Sequence, residues 1–146
     1  MERIIDNEGR PIIFEPAHTV VSVTRAHGDV KMPEVCFNDS SIVIFIEPDY
    51  FEMLQPGARI VVPTGLIFYL TDNCSGMVFS LPHQTANLGL FVCPQPVVSG
   101  ELLRIVVVNM GENNILLCGK MHIGHIMLQQ TPKIQISEIR RYRVSR

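Results

Sequence analysis

The stretch Gln55-Pro-Gly-Ala-Arg-Ile-Val-Val-Pro-Thr-Gly-Leu-Ile-Phe-Tyr-Leu70 decides how this 146-residue chain reads. It opens on Gln55–Gly57, where proline fixes φ and glycine accepts the left-handed region, the ingredients of a tight turn. Ile60–Val62 follows as a short β-branched run, stiff at χ1 and suited to a pleated surface. Pro63-Thr64-Gly65 predicts a second turn, again with a glycine that permits positive φ. Leu66–Leu70 then resumes the apolar run. Turn, strand, turn and strand in succession predict antiparallel β structure.

The same grammar extends outward in both directions. Strand runs fall at Thr19–Val23, Ile42–Ile46, Met77–Leu81, Leu102–Val108, Ile115–Leu117, Ile123–Leu128 and Ile134–Ile136. Turn clusters at Ala26–Asp29, Thr71–Gly76, Ser99–Gly100 and Met110–Asn114 separate them. Short strands spaced about 8 to 12 residues apart predict a sandwich, jelly roll or closed barrel. No segment holds a 3.6-residue apolar period with caps. Glu47–Met53 predicts at most one helical turn, ended by Pro56, and Leu81–Pro96 reads as a loop or edge because Pro82, Pro94 and Pro96 interrupt it. No internal repeat, low-complexity tract or linker divides the chain. One domain over residues 1–146 is expected, with residues 1–35 as an N-terminal extension or extra strand and residues 131–146 as a C-terminal arm.

Composition narrows the function classes. Hydrophobic residues make up 47% and charged residues only 18%, so either a large core or an oligomer interface absorbs the apolar surplus. A formal net charge of −2 gives nothing global to attract nucleic acid, which is not an expected partner. The exception is a basic tail, Arg140, Arg141, Arg143 and Arg146, read as a solvated end. Cys36, Cys74, Cys93 and Cys118 are widely spaced with no C-x-x-C, so reduced and mostly buried thiols are expected. Glu2, Asp6, Glu8 and Glu15 stand where a secretory leader would be apolar, which makes an intracellular location the expectation and Asn38-Asp39-Ser40 an unused glycosylation tripeptide. No apolar run approaches the roughly 18 residues of a membrane span.

Four segments in register carry a family resemblance. Gln55–Gly65 resembles the "PPGERALVPTG" segment of the trimeric dUTPases. Gly76 stands where that family has the glycine before its second motif. Gly100-Glu-Leu-Leu-Arg-Ile-Val-Val-Val-Asn109 resembles the "RGEVKVLLFN" strand, and Gly119–Leu128 resembles "KKGDRIAQL". The likeness covers roughly half of the chain. It implies an all-β, dUTPase-like jelly roll or distorted β-barrel, assembled as a homotrimer.

The resemblance does not extend to the chemistry. Splitting dUTP between its α- and β-phosphates requires a carboxylate to activate water, magnesium on the phosphate oxygens, cationic groups on the phosphates and a glycine-rich lid. The first motif's acid is missing from Ser41-Ile-Val-Ile-Phe-Ile46. Leu81-Pro82-His83 stands at the second motif without its arginine. Val97-Val98-Ser99 occupies the third without the water-activating aspartate or the tyrosine that lies under the deoxyribose. His122 and His125 align with the arginine and glutamine of the fourth, and no glycine follows Gly124 to build a lid. Aliphatic side chains cannot hold a triphosphate. The pattern resembles dUTPase-related proteins that viruses have repurposed, among them the dUTPase-derived protein of adenovirus early region 4. Relatives of that kind act by binding host proteins, some through a C-terminal PDZ ligand. Val144-Ser145-Arg146 lacks the apolar terminus such a ligand needs.

Each remaining polar feature has a bland reading beside its sharp one. His122 and His125, near Cys118, invite a metal, but three-apart residues on a regular strand point to opposite faces, so interface or satisfied histidines are expected and no metal or cofactor is implied. Cys74 in Thr71–Gly76 is the expected exposed thiol, with nothing to bring His83 beside it as a base. Asp72, Asn73 and Ser75 read as turn chemistry, and Glu101 with Arg104 as a surface pair. Met77, Phe79, Leu81, His83 and Phe91, with His122 and His125, form the candidate interaction surface, left apolar where a polar pocket is lost.

The expected function is therefore that of a non-catalytic viral protein derived from a dUTPase, binding host proteins in the host cytoplasm or nucleus. An active dUTP pyrophosphatase using Asp49, Asp72 or Glu101 is the first alternative. A structural jelly-roll subunit is the second.

Overall fold

The computed structural model describes residues 5, 7–10, 21–36 and 41–141. Among these, eleven strands and one helix follow in the order β1 Ser22–Arg25, β2 Glu34–Cys36, β3 Ser41–Phe45, β4 Phe51–Leu54, β5 Arg59–Tyr69, β6 Cys74–Phe79, α1 Pro82–Leu88, β7 Leu90–Val92, β8 Gln95–Pro96, β9 Leu102–Asn109, β10 Ile115–Cys118 and β11 His122–Gln130. They form a four-stranded sheet β1-β5-β9-β7, a five-stranded sheet β2-β3-β11-β6-β8 and a two-stranded sheet β10-β4. Every pairing is antiparallel.

Alternation along the strands decides what goes inside. Val62, Leu66 and Phe68 of β5, with Leu103, Ile105 and Val107 of β9, are buried in one cluster with Ile44, Val78, Ile123 and Ile126 of the five-stranded sheet. Leu54, Ile115 and Leu117 close the cluster from the two-stranded sheet. Each such side chain contributes about 1.5–3 kcal/mol by leaving water.

The predicted turn at Pro63–Gly65 is instead a bulge inside one continuous strand. The register of β5 against β9 shifts between Pro63 and Ile67, and the strand carries on to Tyr69. Thr64 makes this possible: its buried hydroxyl donates to the Leu103 carbonyl at 2.7 Å and accepts from the Leu66 N–H at 3.2 Å, replacing ladder bonds that the bulge removes. Gly65 sits at φ +70°, and a Cβ there would lie 2.7 Å from Val30 Cγ2, so both backbone and space require glycine.

Other local expectations change as well. Glu47–Met53 is a turn followed by β4, not a helical turn. The Leu81–Pro96 loop contains α1, which opens with Pro82 in its first turn and ends at Gly89 in the left-handed region. The N-terminal extension supplies β1 and β2; Thr19 and Val20 lie outside the described residues. Ile134–Ile136 is not a strand: after Thr131, whose N–H donates to the Asn73 carbonyl at 2.8 Å, residues 132–141 join no sheet, with Ile134, Ile136 and Ile139 86%, 93% and 88% exposed. Alternation alone makes no strand without an edge to pair with. Asn109, fully buried, ties the end of β9 down by donating to the Leu54 and Asn113 carbonyls and accepting from the Gly111 N–H.

Candidate functional site

The segments aligned above with the first, second and fourth motifs meet around β11. The register of β11 against β3 slips between His122, opposite Phe45, and Gly124, opposite Ile44. Ile123 is therefore an extra residue, and Ile123 and Gly124 both turn inward. The bulge resets the alternation, so His122 and His125 share the outer face while Ile123 and Ile126 enter the core. This corrects the expectation of opposite faces, which assumed a regular strand.

On that outer face the histidines are engaged. His125 Nδ1 lies 2.7 Å from the hydroxyl of Ser41, itself buried, and the His125 ring tilts over Phe79 at 5.9 Å between centroids. His122 stands edge-on to Phe45 at 4.6 Å, and Lys31 Nζ sits 3.8 Å above the same phenyl ring. Such a cation over a ring is worth about 0.5–1 kcal/mol where partly exposed. The Gln84 carboxamide of α1 donates to the His122 carbonyl at 2.8 Å, which fastens the helix to the strand. Among the described residues no group of three or more His, Cys, Asp and Glu side chains is placed to hold a metal ion.

The predicted surface is only partly assembled. Met77, Phe79 and His125 are half-buried, and Met77 pairs with the exposed Met127 on the outer face of the five-stranded sheet. Leu81 is buried, because it precedes α1 and turns into the protein, and is no surface residue. His83 is exposed on α1. Phe91 belongs to the other sheet, opposite Val108 on β9, so it joins neither Met77 nor Phe79. All four cysteines are free and half-buried, Cys74 among them, so it is not the exposed thiol expected. Glu101 and Arg104 make no ion pair, and in the β5–β6 turn it is Thr71 and Asn73, not Asp72, whose side chains bond. Arg140 and Arg141 are exposed; Arg143 and Arg146 lie outside the described residues, as do Asn38, Asp39 and Ser40.

The counterpart of the third motif joins β8 to β9 and is tied to the neighbouring β5 and β6 segments. Val97 is buried and donates its N–H to the Gly76 carbonyl at 2.8 Å. Ser99 Oγ accepts from the Leu70 N–H at 2.9 Å, and the Gly100 N–H donates to the Phe68 carbonyl at 2.9 Å. The Gln95 carboxamide reaches β9, where it donates to the Arg104 carbonyl at 2.6 Å and accepts from the Val106 N–H at 3.1 Å. An open depression of about 260 Å³ lies beside it, lined in part by Gln95, Val98, Glu101 and Arg104, smaller than the sites that enclose small molecules. Ser41, Lys31, Gln84 and Gln95 escape sequence reading because each partner lies on another element; only their polarity within apolar stretches marks them.

Neither the protein-family models nor the curated proteins yield a match to this sequence. Solved structures do. A mutant dUTPase of phage phi11 of S. aureus, described with a structural Mg(II) ion, superposes with a TM-score of 0.75 at 12% identity, covering 85% of this chain and 99% of that one. The Staphylococcus bacteriophage 80alpha dUTPase matches with a TM-score of 0.73 at 13% identity over 85% of this chain and 98% of its own. The same phage enzyme with dUPNHPP matches at 0.73 and 14%, over 86% and 90%. The all-β architecture is thus the dUTPase-like fold. No helix among the described residues is long and apolar enough to cross a membrane.

Proposed function

We propose that this chain is a non-catalytic viral protein on a dUTPase-like fold, assembled as a homotrimer and acting inside the host cell by binding host proteins. One observation carries the reading. At the places where the sequence resemblance puts phosphate- and metal-handling groups, the polar side chains answer one another: Ser41 bonds His125, and His122 packs on Phe45. A triphosphate would have to break those contacts, and the aligned segments Ser41–Ile46, Leu81–His83, Val97–Ser99 and His122–His125 offer it no arginine or carboxylate in exchange. The 80alpha enzyme is described as one of the phage dUTPases that control transfer of virulence genes, which supports a regulatory use of this fold.

The test is direct. Purified protein with magnesium and dUTP should release no pyrophosphate, and titration calorimetry with dUPNHPP should show no heat of binding. Measurable turnover overturns the reading.

Two alternatives have their own signatures. The extent of the fold match to dUTPases favours an active dUTP pyrophosphatase, for which Asp49, Asp72 and Glu101 are the available acids; all three are exposed, on three separate connections. Substituting each by Asn or Gln should abolish turnover if that reading holds. A structural jelly-roll subunit would form assemblies larger than a closed trimer, which light scattering separates from the other two.

A further inference from the structure

We infer that the two-stranded sheet β10-β4 is a docking surface for an extended basic segment of a partner protein, which adds to β4 as a third strand. The inference rests on the interaction-protein reading above and names its contact face. Pairing of Ile115 with Leu54 and of Leu117 with Glu52 turns Leu54, Ile115 and Leu117 into the core. It leaves Phe51, Met53 and Leu116 on the outer face, 70%, 49% and 41% exposed, with Cys118 opposite Phe51. The outward positions of this small sheet are therefore apolar throughout, and two of them are a phenylalanine and a methionine, side chains that adapt to varied partners.

The edge is open as well as the face. In the row where Glu52 pairs with Leu117, Glu52 is exposed and Leu117 fully buried, so β4 is the outer strand of the two, and no strand pairs with its far edge among the described residues. A sheet of two strands is marginal alone, and an unpaired edge is a template for a further strand.

Charge and alternation together specify the occupant. In the segments 47–54 and 112–120 the exposed charges are Asp49, Glu52, Glu112 and Lys120, and the acids among them make no ion pair. Glu52 lies on the opposite side of β4 from Phe51 and Met53. A strand added along β4 would set alternate residues on Phe51 and Met53, which select apolar side chains, and the residues between them beside Glu52, which selects Lys or Arg. The outer face of the four-stranded sheet is the contrast: its exposed Val61 and Leu102 stand among Arg59 and Arg104, which would repel the same segment.

The probe is a fluorescein-labelled peptide, Lys-Val-Lys-Val-Lys-Val-Lys, with Glu-Val-Glu-Val-Glu-Val-Glu as its counterpart, titrated by anisotropy with the full chain. The basic peptide should bind and the acidic one should not. Phe51→Ser with Met53→Ser should weaken binding about tenfold or more. Glu52→Lys, at an exposed site that does not threaten folding, should weaken it several-fold and flatten its salt dependence. Val61→Ser should leave it unchanged. Equal binding of both peptides, or indifference to the β4 variants, overturns the inference. Dissociation of an oligomer by the Phe51/Met53 variant also overturns it, since the face would then belong to a second copy. Turnover of dUTP in the same samples would overturn the proposed function and leave this face standing; absent turnover with no peptide binding does the reverse.

Discussion

The two faces of β11 have opposite relations to the dUTPase pattern. Inward, Ile123, Ile126 and the partly buried Leu128 pack into the cluster shared by the sheets. Outward, His122 and His125 stand where the resemblance places an arginine and a glutamine, and each is turned to a neighbouring ring or hydroxyl. A strand assigns folding to one face and chemistry to the other. Exchange of outward groups therefore costs little stability, and one fold is compatible with only 12–14% identity between this chain and the phage dUTPase structures.

The sharpest way to break this contrast is to cut each face in turn. Ile126→Ala should destabilise by about 2–5 kcal/mol, read as a shift of the urea midpoint, because the site is fully buried and its neighbours cannot collapse into the space. His125→Ala, one residue away, should cost about 1 kcal/mol through the lost Ser41 bond. A loss as large as that of Ile126→Ala would show that the outer face is part of the folding core. The smallest effect is expected at Tyr50, whose hydroxyl is shielded and has no hydrogen-bond partner. Burial, aided by the Glu52 carboxylate, raises its pKa above the usual 10.0. Below pH 10 folded and unfolded chains both keep the proton, so Tyr50 adds no pH dependence there. Above it the unfolded chain releases the proton first, and stability falls until the pH passes the folded value. Tyr50→Phe should remove that alkaline decline in a pH-resolved thermal melt while leaving stability at pH 7 unchanged or slightly higher.

Much of this architecture is legible in residue order, and the gaps have physical causes. The runs Ile42–Ile46 and Leu102–Val108 read as strands because short, nearly continuous β-branched runs bounded by turn residues have little alternative. Pro63-Thr64-Gly65 misleads because the same residues serve a turn or a bulge, and only the distant Leu103 carbonyl chooses between them. Helix α1 hides because it is a single polar stretch whose one cue is Pro82. The slip at Ile123 leaves no trace in composition, yet it decides that two histidines share a face. Ile134 and Ile136 show the converse: alternation is a property of a segment, while pairing is a property of two. At the candidate site, the absence of acids and arginines is visible from the order of residues. How the groups present are engaged depends on contacts such as Ser41 with His125, 84 positions apart.

The Gln95 carboxamide carries a consequence of its own. It presents a donor and an acceptor side by side to a carbonyl and an amide of β9, so one side chain does the work of a missing ladder rung. Because β8 belongs to the five-stranded sheet and β9 to the four-stranded one, this carboxamide is a rivet between the two sheets. Cutting it would free the sheets to separate at that corner while leaving both ladders intact.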